Sequence, residues 1–314
     1  MNYLRHFGLR ELPFGITPDT SYFFACRSVR EALNTLLVAV SNGEGFIKIT
    51  GEVGTGKTLL CRKFLSTLGP SWVSAYLPNP NLEPRSLLFS LADELGVGGD
   101  RSLSHRLEKE LMQRLLDIAR QGKRVVLCMD ETQAMPLATL EAVRLLSNLE
   151  TEKRKLMQVV LFGQPELDRK LASDSVRQLR QRITFQYTLK SLLRAEVADY
   201  VAHRVTIAGY SGPALFTGAA LKALHLASGG VPRLVNILAH KALLVVFGEG
   251  GRRVERRHEL AAIRNLRRKN QLLANAKLLH ALAHRAPQPH VVPVVGIGAA
   301  VRIAQNTSVG VEPV

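Results

Sequence analysis

The chain has 314 residues, of which 46% are hydrophobic and 22% charged, and this composition indicates a globular protein that can bury a core without disulfides. Three widely spaced cysteines (Cys26, Cys61, Cys128) without a CxxC pair argue against a disulfide scaffold or a zinc ribbon. The first 25 residues lack the pattern of a signal peptide, and the longest apolar stretch, residues 291–301, is too short for a membrane helix. We therefore expect a cytoplasmic protein, peripheral to a membrane at most, that is not secreted and has no transmembrane segment.

The net charge of +16 is concentrated in one part of the chain. Residues 252–285 contain ten Lys or Arg against two Glu, a net charge of +8, whereas residues 286–314 have a net charge of zero. A chain with this bias favours anionic partners, namely nucleotides, nucleic acid or an acidic lipid surface.

From residue 28 the sequence predicts alternating helices and strands. Before that point, Tyr3 to Phe24 is rich in aromatic residues, Gly and Pro, and is predicted to be an irregular strap. Ser28 and Glu31 have the spacing of a capping box, which predicts a helix start there and an end at Gly43. The predicted strands are Phe46–Thr50, Trp72–Leu77, Arg124–Met129, Gln158–Phe162 and Ile183–Leu189. The predicted helices between them are Pro84–Leu95, Ser102–Gln121 and Leu137–Leu149. This alternation predicts a parallel sheet with helices on both faces.

The strand pattern stops after Leu189, and only helices are predicted beyond it. They are Arg194–Ala208, Gly218–Ala227, Pro232–Phe247 and one that begins near His258. We therefore predict an α/β domain with its strap at 1–190, a small all-helical lid domain at 191–264, and a basic, partly disordered tail at 265–314.

A phosphate-binding loop follows the first strand. The segment Gly51-Glu-Val-Gly-Thr-Gly-Lys57-Thr58 fits the P-loop pattern, in which glycines let backbone N–H groups surround a β-phosphate at the start of a helix. Lys57 reaches the β- and γ-phosphates, and the Thr58 hydroxyl ligates Mg²⁺. The residues predicted to bind ATP here are Gly51, Glu52, Val53, Gly54, Thr55, Gly56, Lys57, Thr58 and Leu59.

Two carboxylates end the third predicted strand. The apolar run from Val125 to Met129 leads directly into Asp130 and Glu131, at the edge of the sheet where ligands bind in such folds. Asp130 is predicted to hold Mg²⁺ and Glu131 to orient an attacking water, so the pair predicts hydrolysis as well as binding. The simpler alternative is a strand end with solvated charges.

Four further polar residues are candidates for sensing the γ-phosphate or for catalysis. Gln164 follows the next strand, where it is either a sensor or a simple loop residue. Arg180 and Arg182 precede the last strand and are candidate arginine fingers that act on a neighbouring subunit, with Arg182 favoured, or else solvated cations. Arg233 opens a lid helix and is predicted to reach back to the nucleotide.

These motifs together resemble those of an AAA+ ATPase. Several stretches are similar, more narrowly, to the general secretion pathway protein A (ExeA) family, and within it to the type that serves MSHA pilus biogenesis. They are Tyr3-Leu-Arg-His-Phe7, Pro13-Phe14-Gly-Ile-Thr-Pro-Asp-Thr-Ser-Tyr-Phe-Phe24, Leu161-Phe-Gly-Gln-Pro-Glu-Leu167 and Ser228-Gly-Gly-Val-Pro-Arg233. The resemblance covers about residues 1–264. It implies a P-loop NTPase of ORC/Cdc6-like AAA+ fold, a homo-oligomer, and ATP-driven assembly of a type II secretion or type IV pilus apparatus with partners at the inner membrane.

Two other functions are compatible with the sequence. One is a DNA-dependent ATPase, such as a transposition or replication-initiation helper, and the other is a nucleotide-gated scaffold with negligible turnover. The basic stretch 252–269 has three possible interpretations. It is a solvated helix face, a surface that binds anionic lipid, or a surface that binds nucleic acid.

Overall fold

A five-stranded parallel sheet organises the first part of the chain. The structure is a computed structural model that describes residues 3–79, 81–98, 104–147, 150–151 and 154–266. The strands are β1 (Phe46–Gly51), β2 (Trp72–Leu77), β3 (Arg124–Met129), β6 (Met157–Gly163) and β7 (Ile183–Leu189), and a short antiparallel pair, β4 (Glu150–Thr151) and β5 (Arg154–Lys155), precedes β6. The sheet order is β2-β3-β6-β1-β7.

The predicted strands are confirmed, with β2, β3 and β7 at the predicted bounds. All residues of β6 and all but the first of β3 are buried, as expected for central strands of a sheet covered on both faces. The two strands are adjacent, and Leu127 of β3 is in register with Val159 of β6.

Helices cover both faces of the sheet. They are α2 (Arg27–Ser41), α3 (Lys57–Thr67), α4 (Pro84–Glu94), α5 (Ser104–Arg120), α6 (Leu137–Leu146), α7 (Glu166–Leu171) and α8 (Arg177–Arg182). Helices α2 and α3 pack on one face through Leu36 and Phe64, against Ile47 and Ile49 of β1. Helices α4, α5 and α6 supply the apolar side chains on the other face. Burial of these two layers is the main stabilising contribution to the α/β part.

The predicted capping box at the start of α2 is wrong. The helix begins at Arg27 with Cys26 as N-cap, and no side chain caps it. Ser28 lies inside the helix and is buried, where its hydroxyl accepts the N–H of Lys190 at 2.9 Å. Its hydroxyl therefore contacts Lys190, the residue after β7, instead of capping the helix. A contact between residues so far apart in the sequence could not be predicted from the capping-box spacing.

The second part of the described chain is helical. It comprises α9 (Arg194–Ile207), α10 (Gly218–Ser228), α11 (Pro232–Gly248) and a helix over residues 256–266 that we call α12. The strap contains a short helix α1 (Tyr3–Phe7) and a 3-10 turn (Thr20–Tyr22). Its buried side chains Phe7, Leu9 and Phe14 belong to the same apolar cluster as the helices of this part, so the strap completes the core of the lid.

The remaining predictions fall partly outside the described residues. Most of the proposed tail, residues 267–314, lies outside them, as do residues 102–103 and 148–149 of two predicted helices. Among the helices that are described, none combines the length and the apolar character needed to cross a bilayer.

The first prediction concerns Glu259 of α12. Both carboxyl oxygens are buried without a hydrogen-bond partner among the described residues, and burial raises the pKa of this carboxyl from 4.5 to about 8. Between these two values the folded state retains a proton that the unfolded state releases. Stability should therefore fall by about 1.4 kcal/mol per pH unit as the pH rises, and level off above the folded-state pKa.

Replacing Glu259→Gln removes this proton linkage, so the variant should exceed the native chain in stability by several kcal/mol near pH 8.5 and by much less near pH 5. Urea unfolding at both pH values measures the difference. Glu255→Gln, at an exposed position of the same segment, is the control and should change little. Parallel pH profiles for the native chain and the Glu259 variant would contradict the assignment.

Candidate functional site

The polar residues singled out above meet at one edge of the sheet. Strands β3, β6 and β1 are neighbours and parallel, so their carboxyl ends lie side by side. The phosphate loop follows β1, Asp130 and Glu131 follow β3, and Gln164 follows β6. Sheet topology therefore brings together groups that are separated by more than a hundred residues in sequence.

The phosphate loop has the backbone that its glycines predict. Gly54 and Gly56 have φ of 83° and 99°, a region that favours glycine. Gly56 is the N-cap of α3, which begins at Lys57 and points the N-terminal end of its dipole at the loop. The loop and helix start thus present backbone N–H groups to an anion.

The Lys57 ammonium lies within this loop and is buried. It donates to the carbonyl oxygens of Gly51 at 2.8 Å and Glu52 at 3.0 Å. Burial lowers the pKa of Lys57, although neighbouring carboxylates, with Glu131 first and Asp130 next, favour the charged form. A buried cation whose close hydrogen-bond partners are two neutral carbonyls is well placed to gain from an anionic phosphate.

A hydroxyl and a carboxylate meet beside the loop. The Thr58 hydroxyl donates to Oδ2 of Asp130 at 2.5 Å, and the N–H of Glu131 donates to the other carboxylate oxygen at 2.9 Å. Burial raises the pKa of Asp130, while these two hydrogen bonds act in the opposite direction. A cation bound at Asp130 would offset the desolvation of its charge.

This oxygen pair suits Mg²⁺ that is shared with a nucleotide. Mg²⁺ in nucleotide sites is held by one or two protein oxygen groups together with phosphate oxygens, and Thr58 and Asp130 supply such groups. Among the described residues no cluster of three or more His, Cys, Asp or Glu side chains is suited to a metal. The donor set therefore fits an ion that arrives with phosphate.

Glu131 is held by two amide side chains. Its Oε2 accepts from Nε2 of Gln164 at 2.9 Å and also from Nε2 of Gln133. Gln133 in turn accepts the N–H of Gln164 at 3.0 Å. Glu131 has φ 53°, a left-handed conformation that is uncommon for a residue with a side chain and frequent at functional sites. Gln133 was not among the predicted residues, although its position two residues after Glu131 was a usable signal.

The lid contacts the phosphate loop directly. The N–H of Arg233, at the start of α11, donates to the carbonyl of Gly54 at 3.2 Å. A Cβ at Gly54 would lie 2.5 Å from Cβ of Arg233, so a glycine is needed for this close approach as well as for the turn. Arg233 is exposed and lines the cavity described below.

The strap is held beside the loop by a buried arginine of the lid. Arg204 of α9 donates to the carbonyls of Pro13 and, at 3.4 Å, of Gly15, and to the Tyr200 hydroxyl at 3.1 Å. Its guanidinium also lies 4.4 Å from the centre of the Tyr22 ring. Asn236 of α11 donates to the same Gly15 carbonyl at 3.0 Å.

These contacts enclose a cavity of about 190 Å³. The cavity is lined by residues of the strap, the phosphate loop and the lid, together with Glu131. They are residues 15–19, Val53 to Leu59 without Thr55, and Tyr200, Arg204, Pro232, Arg233 and Asn236. Nothing in the sequence predicted Arg204, Tyr200 or Asn236, because they lie within amphipathic helices and carry no motif. Three separate segments of the chain therefore line one cavity.

The two candidate arginine fingers lie elsewhere. Neither Arg180 nor Arg182 lines the cavity. Arg180 is exposed at the end of α8, whereas Arg182 is partly buried and its Nη1 donates to the Ser147 hydroxyl at 3.2 Å. Within a single chain they are therefore not part of the assembled site.

Sequence comparisons identify proteins that are similar to this chain. A family model described as an AAA domain matches residues 40–171. General secretion pathway protein A of Aeromonas hydrophila is 42% identical over 253 residues, which are 80% of this chain and 46% of that protein. The chain thus spans about half the length of this curated relative.

Solved structures share the fold at low sequence identity. The ORC2 protein of Aeropyrum pernix in its ADPNP-ADP complexes has a TM-score of 0.59 and 14% identity, over 79% of this chain and 71% of that chain. Cdc6p of Pyrobaculum aerophilum has a TM-score of 0.58 and 15% identity, over 75% and 68% of the two chains. The RuvB Holliday junction branch migration motor of Thermotoga maritima has a TM-score of 0.53 and 17% identity, over 82% and 74%. The predicted ORC/Cdc6-like fold class is confirmed.

The second prediction concerns Arg204. Replacing Arg204→Gln leaves the carbonyls of Pro13 and Gly15 without their charged donor, so unfolding should require about 1–3 kcal/mol less free energy. The strap should also be released from the cavity, which should weaken binding of a fluorescent ATP analogue. Arg194→Gln, at the exposed first turn of the same helix, should alter neither urea unfolding nor binding. Equal behaviour of the two variants would show that Arg204 does not anchor the strap.

Proposed function

Because the chain is an AAA protein related to General secretion pathway protein A, we propose that it binds and hydrolyses ATP and couples hydrolysis to assembly of a secretion or pilus apparatus. One observation carries the enzymatic part of the proposal. Thr58 of the phosphate loop is hydrogen-bonded to Asp130, and Glu131 lies directly beside them, held by Gln133 and Gln164. This grouping joins an anion-binding loop to a carboxylate available for water activation.

Each group then has a distinct role. The N–H groups of residues 54–59 and the Lys57 ammonium bind the β- and γ-phosphates. Mg²⁺, held by Thr58 and Asp130, would neutralise charge on the phosphate oxygens. Glu131 accepts a hydrogen bond from the attacking water and orients it, and the two glutamine amides keep the carboxylate in place.

Gln164 and Arg233 are the residues whose contacts would change when the γ-phosphate is lost. Gln164 is hydrogen-bonded to Glu131, so a change in the water position alters its contacts. Arg233 joins the lid to the loop through the hydrogen bond from its N–H to Gly54, and Arg233 is exposed and lines the cavity. Movement of α11 relative to the loop would then transmit the nucleotide state to the rest of the lid.

We further propose that the active form is a homo-oligomer in which an arginine of one subunit completes the site of the next. Arg182 was favoured from sequence, but its guanidinium donates to Ser147 within its own chain. Arg180 is exposed two residues earlier on α8. We therefore assign the arginine finger to Arg180 and give Arg182 a smaller contribution.

The proposed setting is the cytoplasmic side of the inner membrane. The name of the Aeromonas hydrophila relative supports type II secretion, and the motifs quoted above support a type IV pilus of the MSHA type. Its clients would be assembly proteins at that membrane.

The alternative remains a DNA-dependent AAA+ ATPase, which the net charge of +16 favours. Stimulation of hydrolysis by DNA, and its loss at high salt, would support that alternative.

The third prediction separates binding from hydrolysis. Lys57→Ala should weaken ATP binding at least about 100-fold, because it removes the buried cation that faces the phosphates. Glu131→Gln should retain ATP binding and lower kcat by about 10²–10⁴-fold, because only water activation is lost. Equilibrium binding of labelled ATP and a phosphate-release assay measure the two effects.

Lys109→Ala, which removes an exposed lysine of α5, serves as the control and should leave both quantities unchanged. Native turnover by the Glu131 variant would refute the assigned water-activating role. Negligible turnover by the native chain at every protein concentration would instead favour a nucleotide-gated scaffold.

The fourth prediction concerns the shared site. Hydrolysis per chain should rise with protein concentration, and Arg180→Ala should abolish this rise and lower the assembled rate by up to about 10³-fold without weakening ATP binding. Arg182→Ala should have the smaller effect. Mixing Arg180→Ala with Glu131→Gln should restore part of the activity at mixed interfaces. A specific activity that stays constant while light scattering records assembly would argue against a shared site.

A further inference from the structure

A second concave surface lies on the lid, apart from the nucleotide cavity. It encloses about 520 Å³, and we call it the arginine groove. Residues 5–8 of the strap form one side, residues 210–214 after α9 form another, and Arg252 and Arg253 between α11 and α12 complete it. It has no residue in common with the nucleotide cavity.

Three arginines belong to the lining of this groove. Arg5, Arg252 and Arg253 all line it and are all exposed. The described residues of its lining include no Asp or Glu, and within the described part of the chain none of the three arginines forms an ion pair with a carboxylate. Like charges gathered without a counter-charge repel one another, so an anionic ligand would be stabilised there.

The groove is fixed by a contact between distant parts of the chain. Nε2 of His6 lies 2.5 Å from the carbonyl oxygen of Gly251, next to Arg252 in sequence. The His6 ring also packs edge-on against Phe247 of α11, with ring centres 5.2 Å apart. Arg5 and the pair Arg252–Arg253 are thus held on one surface rather than meeting by chance in flexible segments.

Helix α12, which begins three residues after Arg253, combines exposed cations with an exposed apolar side chain. Helix α12 exposes Arg256, Leu260 and Arg264, which are spaced four residues apart and so lie along one face of the helix. Leu260 is 37% exposed. A helix face that alternates arginine and leucine suits the interface of a bilayer, where guanidinium groups contact headgroups and the leucine enters the acyl boundary. Contacts with nucleic-acid phosphates would require the cations alone.

We propose that the arginine groove binds the phosphate of anionic phospholipid headgroups and, together with the exposed face of α12, docks the lid on a membrane surface. The proposal concerns a surface outside the ATP site and does not depend on hydrolysis. Because each basic residue at an anionic bilayer raises the partition coefficient roughly fivefold, three arginines can contribute up to about 100-fold.

The test is flotation of the full chain with vesicles of phosphatidylcholine alone and of phosphatidylcholine with phosphatidylglycerol. The groove variant carries Arg5→Gln, Arg252→Gln and Arg253→Gln together. The control variant carries Lys109→Gln, Arg169→Gln and Lys222→Gln, three exposed cations on α5, α7 and α10. Both variants have a net charge of 16 − 3 = +13, so they separate position from total charge. Binding of labelled ATP reports that each variant is folded.

We expect salt-sensitive binding to the anionic vesicles, lowered at least about tenfold in the groove variant and less than about twofold in the control. If the triple variant fails to bind ATP, Arg5→Gln alone replaces it and should lower vesicle binding by about threefold or more. Equal binding to both vesicle types, or equal loss in the two triple variants, would overturn the proposal.

Two further arms identify the source of the phosphate. Inorganic phosphate and a DNA duplex are each added as competitors and also tested for direct binding. Failure of millimolar phosphate to displace the chain from vesicles supports a surface-bound headgroup. The groove variant could instead bind vesicles as the native chain does and lose DNA binding. This result would assign the groove to nucleic acid and overturn the lipid proposal.

Discussion

The adjacency of three parallel strands, in the order β3-β6-β1, is the constraint on which the candidate site depends. Parallel strands end at a common edge, so the loop after β1, the carboxylates after β3 and the glutamine after β6 must face one another. The hydrogen bond from Thr58 to Asp130 and that from Gln164 to Glu131 are local consequences of this order. The buried apolar side chains of β3 and β6 hold the strands in register.

The sheet supplies only half of the nucleotide cavity. The other half comes from the lid and the strap, which share one apolar cluster. Arg233 bonds to Gly54 of the loop, and Arg204 and Asn236 hold the strap through the Gly15 carbonyl. A ligand in this cavity would contact the loop, the lid and the strap at once, and its binding energy would favour one relative position of the three. In the proposed ATPase, hydrolysis of the bound nucleotide would therefore change the position of the lid relative to the phosphate loop.

Sequence reasoning worked where a local pattern determines the structure. Continuous apolar runs marked β3 and β6, and the glycine spacing marked a loop whose conformation only glycine adopts easily. It failed where a side chain is used over a long distance, as with Ser28, which contacts Lys190 instead of capping its own helix. Arg204 was invisible for the same reason, because its partners lie 189 and 191 residues away along the chain. Apart from Arg233, the lid residues of the site could therefore be identified only in the three-dimensional structure.

We propose that one nucleotide contacts the loop, the strap and the lid together, and amide hydrogen exchange with and without Mg·ATP can test this claim. We expect slower exchange on ATP addition in residues 51–58 of the loop, 13–19 of the strap and 231–236 of the lid, with little change in the β2–α4 region. Lys57→Ala should remove the protection from all three segments together. Protection confined to residues 51–58, with the strap and lid unaffected, would contradict the claim.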